Sequence, residues 1–295
     1  MNYLYKYFIN KEFDYTKMIL IADSGSTKTD WALCQDGEII SRVRTQGLNP
    51  TIQSTDDMLK VLEAELVDAI DTAAPEHIYF YGAGCAYDNA NNRMKRALDK
   101  IFPGKRISIS SDLLAAARAL CGHSEGIACI LGTGSNSCLY NGKEIVDNTP
   151  SLGYILGDEG SGAHLGRQLV SDCIKKQLPK DIREKFMQQY GLDVASTLER
   201  VYHTPLPNRW LASLTPFILE NKKNAEVHAM LRNCFTEFFK RNIMVYRHSW
   251  LPIHIIGGIG VNFAEEIKET AESLGLSIGN IVESPMDGLV KYHCR

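Results

Sequence analysis

Asp23 closes an apolar run, Ile19-Leu20-Ile21-Ala22, and opens a stretch of small and hydroxylated residues, Ser24-Gly25-Ser26-Thr27. A strand cannot pass through Ser24-Gly25-Ser26 without a tight turn, and that turn presents amides and hydroxyls at a sheet edge. Such groups suit phosphate oxygens, and an aspartate beside them suits a hydrated magnesium ion. This is not the strand-to-helix phosphate loop, because no Gly-Lys-Ser/Thr opens a helix here. On this stretch alone, an ordinary Gly/Ser hairpin accounts for the residues equally well.

Three more glycine-centred turns follow apolar segments: Gly132-Thr133-Gly134-Ser135-Asn136, Gly157-Asp158-Glu159-Gly160-Ser161-Gly162 and Gly257-Gly258-Ile259-Gly260. Each by itself is a weak signal. Their order along one chain carries more.

The elements that must hold these turns follow from periodicity. Residues 18–24 read as a buried strand, and 29–35 and 38–43 as two strands around the hairpin signal Asp36-Gly37. A loop over 46–50 precedes a helix over 56–71, whose apolar stripe runs from Met58 to Ile70 behind the cap candidates Ser54-Thr55-Asp56. Then come a strand at 77–81 ending in Gly82-Ala83-Gly84, a helix at 89–100, a strand at 106–110 and a short Ala-rich helix from Asp112. Strands alternating with helices after the meander argue for an α/β layer with parallel strands.

The pattern then restarts. A strand at 127–131 feeds Gly132-Thr133-Gly134, a second strand covers 137–140, Asn141-Gly142 turns the chain, and a third strand covers 144–147. Laid beside the first copy, Gly134-Ser135 falls on Gly25-Ser26 and Asn141-Gly142 on Asp36-Gly37, which argues for internal duplication. A helix from about 163 to 178, a mostly helical 180–250, a strand at 252–256, a helix to 274, a strand at 280–282 and a short helix from Pro285 complete the chain.

With 295 residues, 44% of them apolar and 23% charged, the chain is long enough for one large or two medium domains. A net charge of -3 with no basic stripe argues against nucleic-acid binding. The eight cysteines never fall as Cys-x-x-Cys, and several lie in apolar segments, as reduced, buried thiols of a cytoplasmic protein would. No apolar run approaches bilayer-spanning length, so no membrane partner is expected. Residues 1–17, crowded with Tyr and Phe, read as an upstream extension before the organised strand at Met18.

Asp-Ser-Gly-Ser-Thr-Lys-Thr at 23–29, Leu-Gly-Thr-Gly-Ser-Asn at 131–136, Gly-Asp-Glu-Gly-Ser at 157–161 and Ile-Gly-Gly-Ile-Gly at 256–260 together resemble the actin/sugar kinase/heat-shock-ATPase superfamily. Within it the chain resembles the N-acetylglucosamine kinase branch, which is grouped with the activator-type ATPases of benzoyl-CoA reductase. The resemblance covers 18–295. It implies an α/β protein of two domains with duplicated ribonuclease H-like (actin-like ATPase) fold around a central cleft. The expected boundaries are 1–17 for the extension, 18–116 for the first domain, and 117–284 for the second with its helical insertion. A terminal helix over 285–295 would pack back on the first domain.

The same resemblance implies ATP and Mg2+ as cofactors and a small-molecule sugar as partner. Asp23, Gly25, Ser26 and Thr27 would contact phosphates, with Asp23 holding magnesium through water. Gly132, Thr133 and Gly134 would bind phosphates from the other side, and Gly257 and Gly258 would pack on adenosine. Asp112 would be the general base, a carboxylate that accepts the proton of the attacking sugar hydroxyl. The alternative for Asp112 is a helix cap. Asn49, Asn136, Gly153 and Asp158 would bind the sugar; Asn49 also reads as a turn residue before Pro50. Lys28 is a phosphate contact or a solvated charge, and Glu159 assists magnesium or favours the following helix N-terminus.

Leu152 stands where animal-type members carry a tryptophan of the sugar pocket, which leaves the N-acetyl preference open. The function implied is an ATP-dependent amino-sugar kinase, most simply N-acetylglucosamine to its 6-phosphate. The alternatives are an activator ATPase, which would need thiolates on an exposed face for an iron–sulfur cluster, and a non-catalytic sugar sensor. The oligomeric state stays open, a homodimer included.

Overall fold

The computed structural model describes residues 18–25 and 27–294. The expectations for residues 1–17 and Ser26 lie outside them. The chain divides into two compact units: one runs through Asp112 and takes the chain back at His293, and the other is Leu113–Tyr292.

The first unit is a five-stranded sheet. β1 (Ile19–Ser24), β2 (Lys28–Gln35) and β3 (Glu38–Gln46) form the antiparallel meander, and α1 (Thr55–Glu65) follows. β4 (His77–Gly82), α2 (Asp88–Ile101) and β5 (Arg106–Ser111) complete it, in the order β3-β2-β1-β4-β5. β1 pairs antiparallel with β2 and parallel with β4, and β4 pairs parallel with β5. The hairpin at Asp36-Gly37 has both residues at positive φ (53° and 85°), the backbone of a tight primed turn. Trp31 and Phe80 from the sheet pack with Met58 and Leu62 of α1 and Met94 and Leu98 of α2.

α1 is shorter than the expected 56–71. After Glu65 the Val67 amide still reaches Leu62, but Ala69 and Ile70 both donate back to Leu66. The apolar stripe therefore stays buried at Leu66 and Ile70 while the regular helix ends.

α3 (Asp112–Cys121) leads into the second unit. β6 (Glu125–Leu131), β7 (Ser135–Asn141) and β8 (Ile145–Thr149) repeat the meander, and β9 (Ile253–Ile256) and β10 (Ile278–Val282) close the sheet. Its order is β10-β9-β6-β7-β8, with β6 antiparallel to β7 and parallel to β9. Read from β8, this is the arrangement of the first sheet, so the duplication expected from the turns extends to topology, and each unit carries the ribonuclease H-like pattern of the actin-like fold.

β6 is a central strand buried on both faces. Ile127, Cys129 and Leu131 join a core that includes Phe186, Phe235 and Phe263, while Ala128 packs with Leu113, Ala117 and Leu120 of α3. α4 (Gly153–Leu156) is a single turn, and α5 (Gly162–Ile174) follows it. Helices fill 180–238, and the last of them passes into a π-helical turn, Phe239–Ile243. The helix expected after Gly257-Gly258-Ile259-Gly260, up to Leu274, starts earlier, at Gly258, and is broken at Phe263, whose backbone leaves the helical region (ψ 29°) as its ring enters the core beside Phe235. Among the described residues no helix is long and apolar enough to cross a membrane.

Candidate functional site

In the first unit the strand register builds the site. Ser24, Gly82 and Ser111 stand at one level across β1, β4 and β5. The residues at the C-terminal ends of three parallel strands therefore share one sheet edge. Asp23 lies one residue inside that edge, and Asp112 begins α3 just beyond it. Strand spacing puts the backbones of β1 and β5 about 10 Å apart, with Gly82 in the row between. A Cβ at Gly82 would come 2.7 Å from the Phe80 ring, so no side chain is tolerated there.

Both carboxylates are partly buried. The Asp23 carboxyl is pushed up to about 7, by burial first, then by the negative charges of Asp112 and Asp30, against the opposing pull of Lys28. Cys85 stands at the same edge, its amide donating to the Gly82 carbonyl (3.1 Å), and its thiol is raised to about 12 by burial first and then by the charge of Asp112. Asn49 arrives there too: its Oδ1 lies where a Cβ on Gly84 would stand 2.3 Å away, and Gly84 has φ +83°. That oxygen accepts from the Thr51 amide (2.9 Å) and hydroxyl (2.6 Å). The turn role of Asn49 is thus realised, and among the described residues its amide nitrogen donates to no partner.

The turn after β1 sorts its hydroxyls. Ser24 is buried, bonded to the Thr29 hydroxyl (2.7 Å) and to the Leu48 backbone (3.0 Å), so it fastens the 46–48 loop. The Gly25 amide donates to the Lys28 carbonyl (2.9 Å), and Gly25 and Thr27 are exposed. Lys28 pairs with Asp30 at 3.0 Å while staying about half exposed, the solvated alternative.

In the second unit three of the glycine turns converge. The Gly132 amide donates to the Gly134 carbonyl (3.0 Å), closing the turn and leaving Thr133 exposed at its tip. The first amides of α5 donate into that turn, Gly162 to the Gly132 carbonyl (2.8 Å) and Ala163 to the Thr133 carbonyl (3.0 Å). Asp158 accepts from the Ser135 amide (3.1 Å), and a Cβ on Gly134 would sit 3.0 Å from both its oxygens. Gly257, at φ +121°, abuts the Leu131 carbonyl, where a Cβ would come within 2.3 Å. Gly258 opens a short helix with nothing within 4 Å of a Cβ.

Asp158 is buried in a left-handed conformation (φ 56°). Burial raises its carboxyl, the Ser135 N–H opposes the rise, and the charge of Glu159 adds to it. Asn136 lies on β7, where its Oδ1 accepts from Asn148 (3.1 Å). Gly153 (φ +72°) is exposed in α4, directly after Leu152, which is 65% exposed and itself left-handed (φ 55°).

Sequence reasoning did not find what holds Glu159. Arg241 Nε reaches one of its carboxylate oxygens at 2.6 Å and Asn242 Nδ2 the other at 3.1 Å. Both partners come from the π-helical turn, and no local signal links them to a residue more than 80 positions earlier. His164, also buried, accepts the Gly160 amide on Nδ1 (2.9 Å), and burial holds its ring below the usual histidine range.

Among the described residues no three side chains of metal-binding type cluster. Two carboxylates at one edge, one of them forced towards protonation, nonetheless suit a cation that keeps most of its water, as Mg2+ does. A carboxylate at such an edge can also take a proton from an incoming hydroxyl.

No protein-family model and no curated protein matches the chain. A solved structure of a candidate N-acetylglucosamine kinase from Porphyromonas gingivalis is 45% identical, with 94% of this chain and 99% of that one covered and a TM-score of 0.90. A second, from Chromobacterium violaceum, is 20% identical over 94% of this chain and 99% of its own, with a TM-score of 0.72. A candidate N-acetylmannosamine kinase from Listeria monocytogenes is 17% identical over 93% and 98%, with a TM-score of 0.52. The last two speak to the fold alone.

Proposed function

This chain belongs to the N-acetylglucosamine kinase-like family of the actin/sugar kinase/heat-shock-ATPase superfamily, and we propose that it transfers the γ-phosphoryl group of ATP to a hydroxyl of an amino sugar. N-acetylglucosamine, giving its 6-phosphate, is the substrate the reading favours. The observation that carries it is the carboxylate pair Asp23 and Asp112 at the end of β1 and β5, with Asn49 at the same edge.

Asp112 is the general base. It follows the strand end directly and accepts the proton of the attacking sugar hydroxyl, which becomes the nucleophile as the proton leaves. Asp23 would hold hydrated Mg2+, and beside that cation it would keep its charge. Mg2+ supplies neutralisation of phosphate charge. Thr27 and Thr133 offer hydroxyls to phosphate oxygens, and Gly25, Gly132 and Gly134 let the backbone of the two turns come close to them. Gly257 and Gly258 leave a surface without side chains for adenosine.

Asn49, Asn136, Asp158 and Gly153 bind the sugar, which needs many directed hydrogen bonds. Leu152 takes the place of the family tryptophan on that side. An enzyme that draws on ATP in this way fits a cytoplasmic setting. The activator-ATPase alternative gains nothing: the thiols of Cys85, Cys121, Cys138, Cys173 and Cys234 are raised to about 12 by burial, poor material for a cluster on an exposed face.

A coupled assay of ADP release over N-acetylglucosamine, N-acetylmannosamine, glucosamine, N-acetylmuramic acid and glucose tests the reading. N-acetylglucosamine is expected to stimulate release most, with 6-phosphate identified by NMR. If none of the sugars stimulates ADP release, the reading fails.

A further inference from the structure

At the N-terminal ends of β6 and β9, the sheet edge opposite the glycine turns, the second unit holds a cavity of about 300 Å³. That volume is at the lower end of small-ligand pockets. Ile127, Ile243, Leu251 and Ile253 line it and are buried, so its depth is apolar. Arg247 and His248 line it as well, and Arg247 is exposed. Among the described residues the Arg247 guanidinium has no carboxylate partner. The His248 ring is fixed by Nδ1 donating to the Tyr246 carbonyl. Arg247 itself is left-handed (φ 58°), a conformation costing of order 1 kcal/mol for such a residue and concentrated at ligand clamps.

The segment that lines this cavity also grips the candidate site. Phe239–Ile243 is π-helical and Met244–Tyr246 a 3-10 turn, an irregular stretch of the kind found at functional positions. Its first part supplies Arg241 and Asn242 to Glu159. Ile243, the next residue, faces the cavity. The Asn242 carbonyl accepts from the Ser137 and Thr149 hydroxyls, and the Tyr246 hydroxyl meets Ser137 (2.8 Å) and the Thr149 amide (3.0 Å). The stretch is therefore bonded to β7, to β8 and to the loop that carries Asp158.

We propose that this cavity is an effector site for a small amphipathic carboxylic acid. Its carboxylate sits on Arg247 and His248, its chain lies among Ile127, Ile243, Leu251 and Ile253, and its occupancy is felt by the 157–162 loop through Asn242 and Ile243. A guanidinium matches a carboxylate in fork geometry, and the apolar depth takes the chain. Coupling requires no rearrangement: a filled cavity stiffens 239–248, and the loop held by that segment opens less often.

Titration calorimetry of the full chain with octanoate tests this, with octan-1-ol and acetate as the arms that lack the acid or the chain. The expected result is saturable one-to-one binding, about tenfold or more tighter for octanoate than for either control. Arg247→Asn removes the guanidinium and suits the left-handed backbone; it is expected to weaken octanoate about tenfold. Octanoate is expected to slow hydrogen exchange at the amides of Gly160 to His164 in the wild type. No saturable binding, equal binding by Arg247→Asn, or unchanged exchange in that loop overturns the proposal. No turnover is measured, so the outcome is independent of the kinase reading.

Discussion

The charge of Asp112 reaches Asp23 across an intervening strand and adds to burial in raising the Asp23 carboxyl to about 7. Nearly 90 residues of chain separate the two, and only the parallel register of β1, β4 and β5 brings them to one edge. Two carboxylates so placed oppose each other's ionisation and share a preference for a cation.

The pH dependence of stability follows with a definite sign. An Asp23 raised from 3.8 to about 7 holds its proton more tightly folded than unfolded. Its contribution to stability is therefore present at pH 4 and is lost as pH rises towards 7. At about 1.4 kcal/mol per unit the loss has an upper bound of about 4 kcal/mol. A divalent cation offsets it by favouring the ionised pair. Melting temperatures in EDTA and in Mg2+ check this: Mg2+ is expected to raise Tm more at pH 8 than at pH 5. An equal rise at both values counts against a cation at Asp23.

Replacing Asp112 with asparagine keeps the size and removes the charge. With the fold intact, kcat is expected to fall by about 100-fold or more, the usual scale for a general base. The same change removes the second cause of the Asp23 shift, so the loss of stability between pH 4 and pH 7 becomes shallower. Steady-state kinetics and pH-dependent melting of one variant thus report two consequences of one carboxylate. Near-normal turnover in the folded variant takes the base role away from Asp112.

Local signals carried the turns. Asp36-Gly37 announced its primed hairpin, and the restart at Gly132-Thr133-Gly134 announced a second sheet of the same order. Local signals could not sort hydroxyls within a turn. Ser24 was as eligible for a ligand as Thr27, and its burial depends on Leu48 folding over it. Nor could they show that a Cβ at Gly82, level with Ser24 and Ser111, would meet the Phe80 ring. The hold on Glu159 was hidden for the same reason. Arg241 and Asn242 are adjacent in sequence, and both reach the Glu159 carboxylate from more than 80 residues away, a pairing no local pattern marks.

That grip predicts unequal costs for its members. Arg241 is 64% exposed on its side chain and Glu159 only 11%. Arg241→Ala is expected to cost at most about 1 kcal/mol, as exposed ion pairs do. Glu159→Ala also strands the buried Asn242 amide, at an added cost of about 1–3 kcal/mol. Urea unfolding of the two variants decides it. Equal costs mean that the ion pair, rather than the amide bond, anchors the loop.

Gly257 and Gly258 separate packing from ligand contact. At Gly257 the backbone has φ +121°, and a Cβ would press on the Leu131 carbonyl at 2.3 Å, a backbone atom that cannot swing aside. Gly257→Ala is therefore expected to destabilise the second unit by about 2 kcal/mol or more, from strain and clash together. Gly258 stands at the start of a helix with nothing within 4 Å of its Cβ position. Alanine is free to stand there, so Gly258→Ala is expected to melt within about 1–2 °C of the wild type, a surface change of small free energy. If adenosine packs on this glycine, the added methyl group meets the nucleotide and raises KM for ATP several-fold while leaving KM for the sugar unchanged. Melting curves and the two KM values for Gly258→Ala test this, and an unchanged KM for ATP in the stable variant removes Gly258 from the nucleotide site.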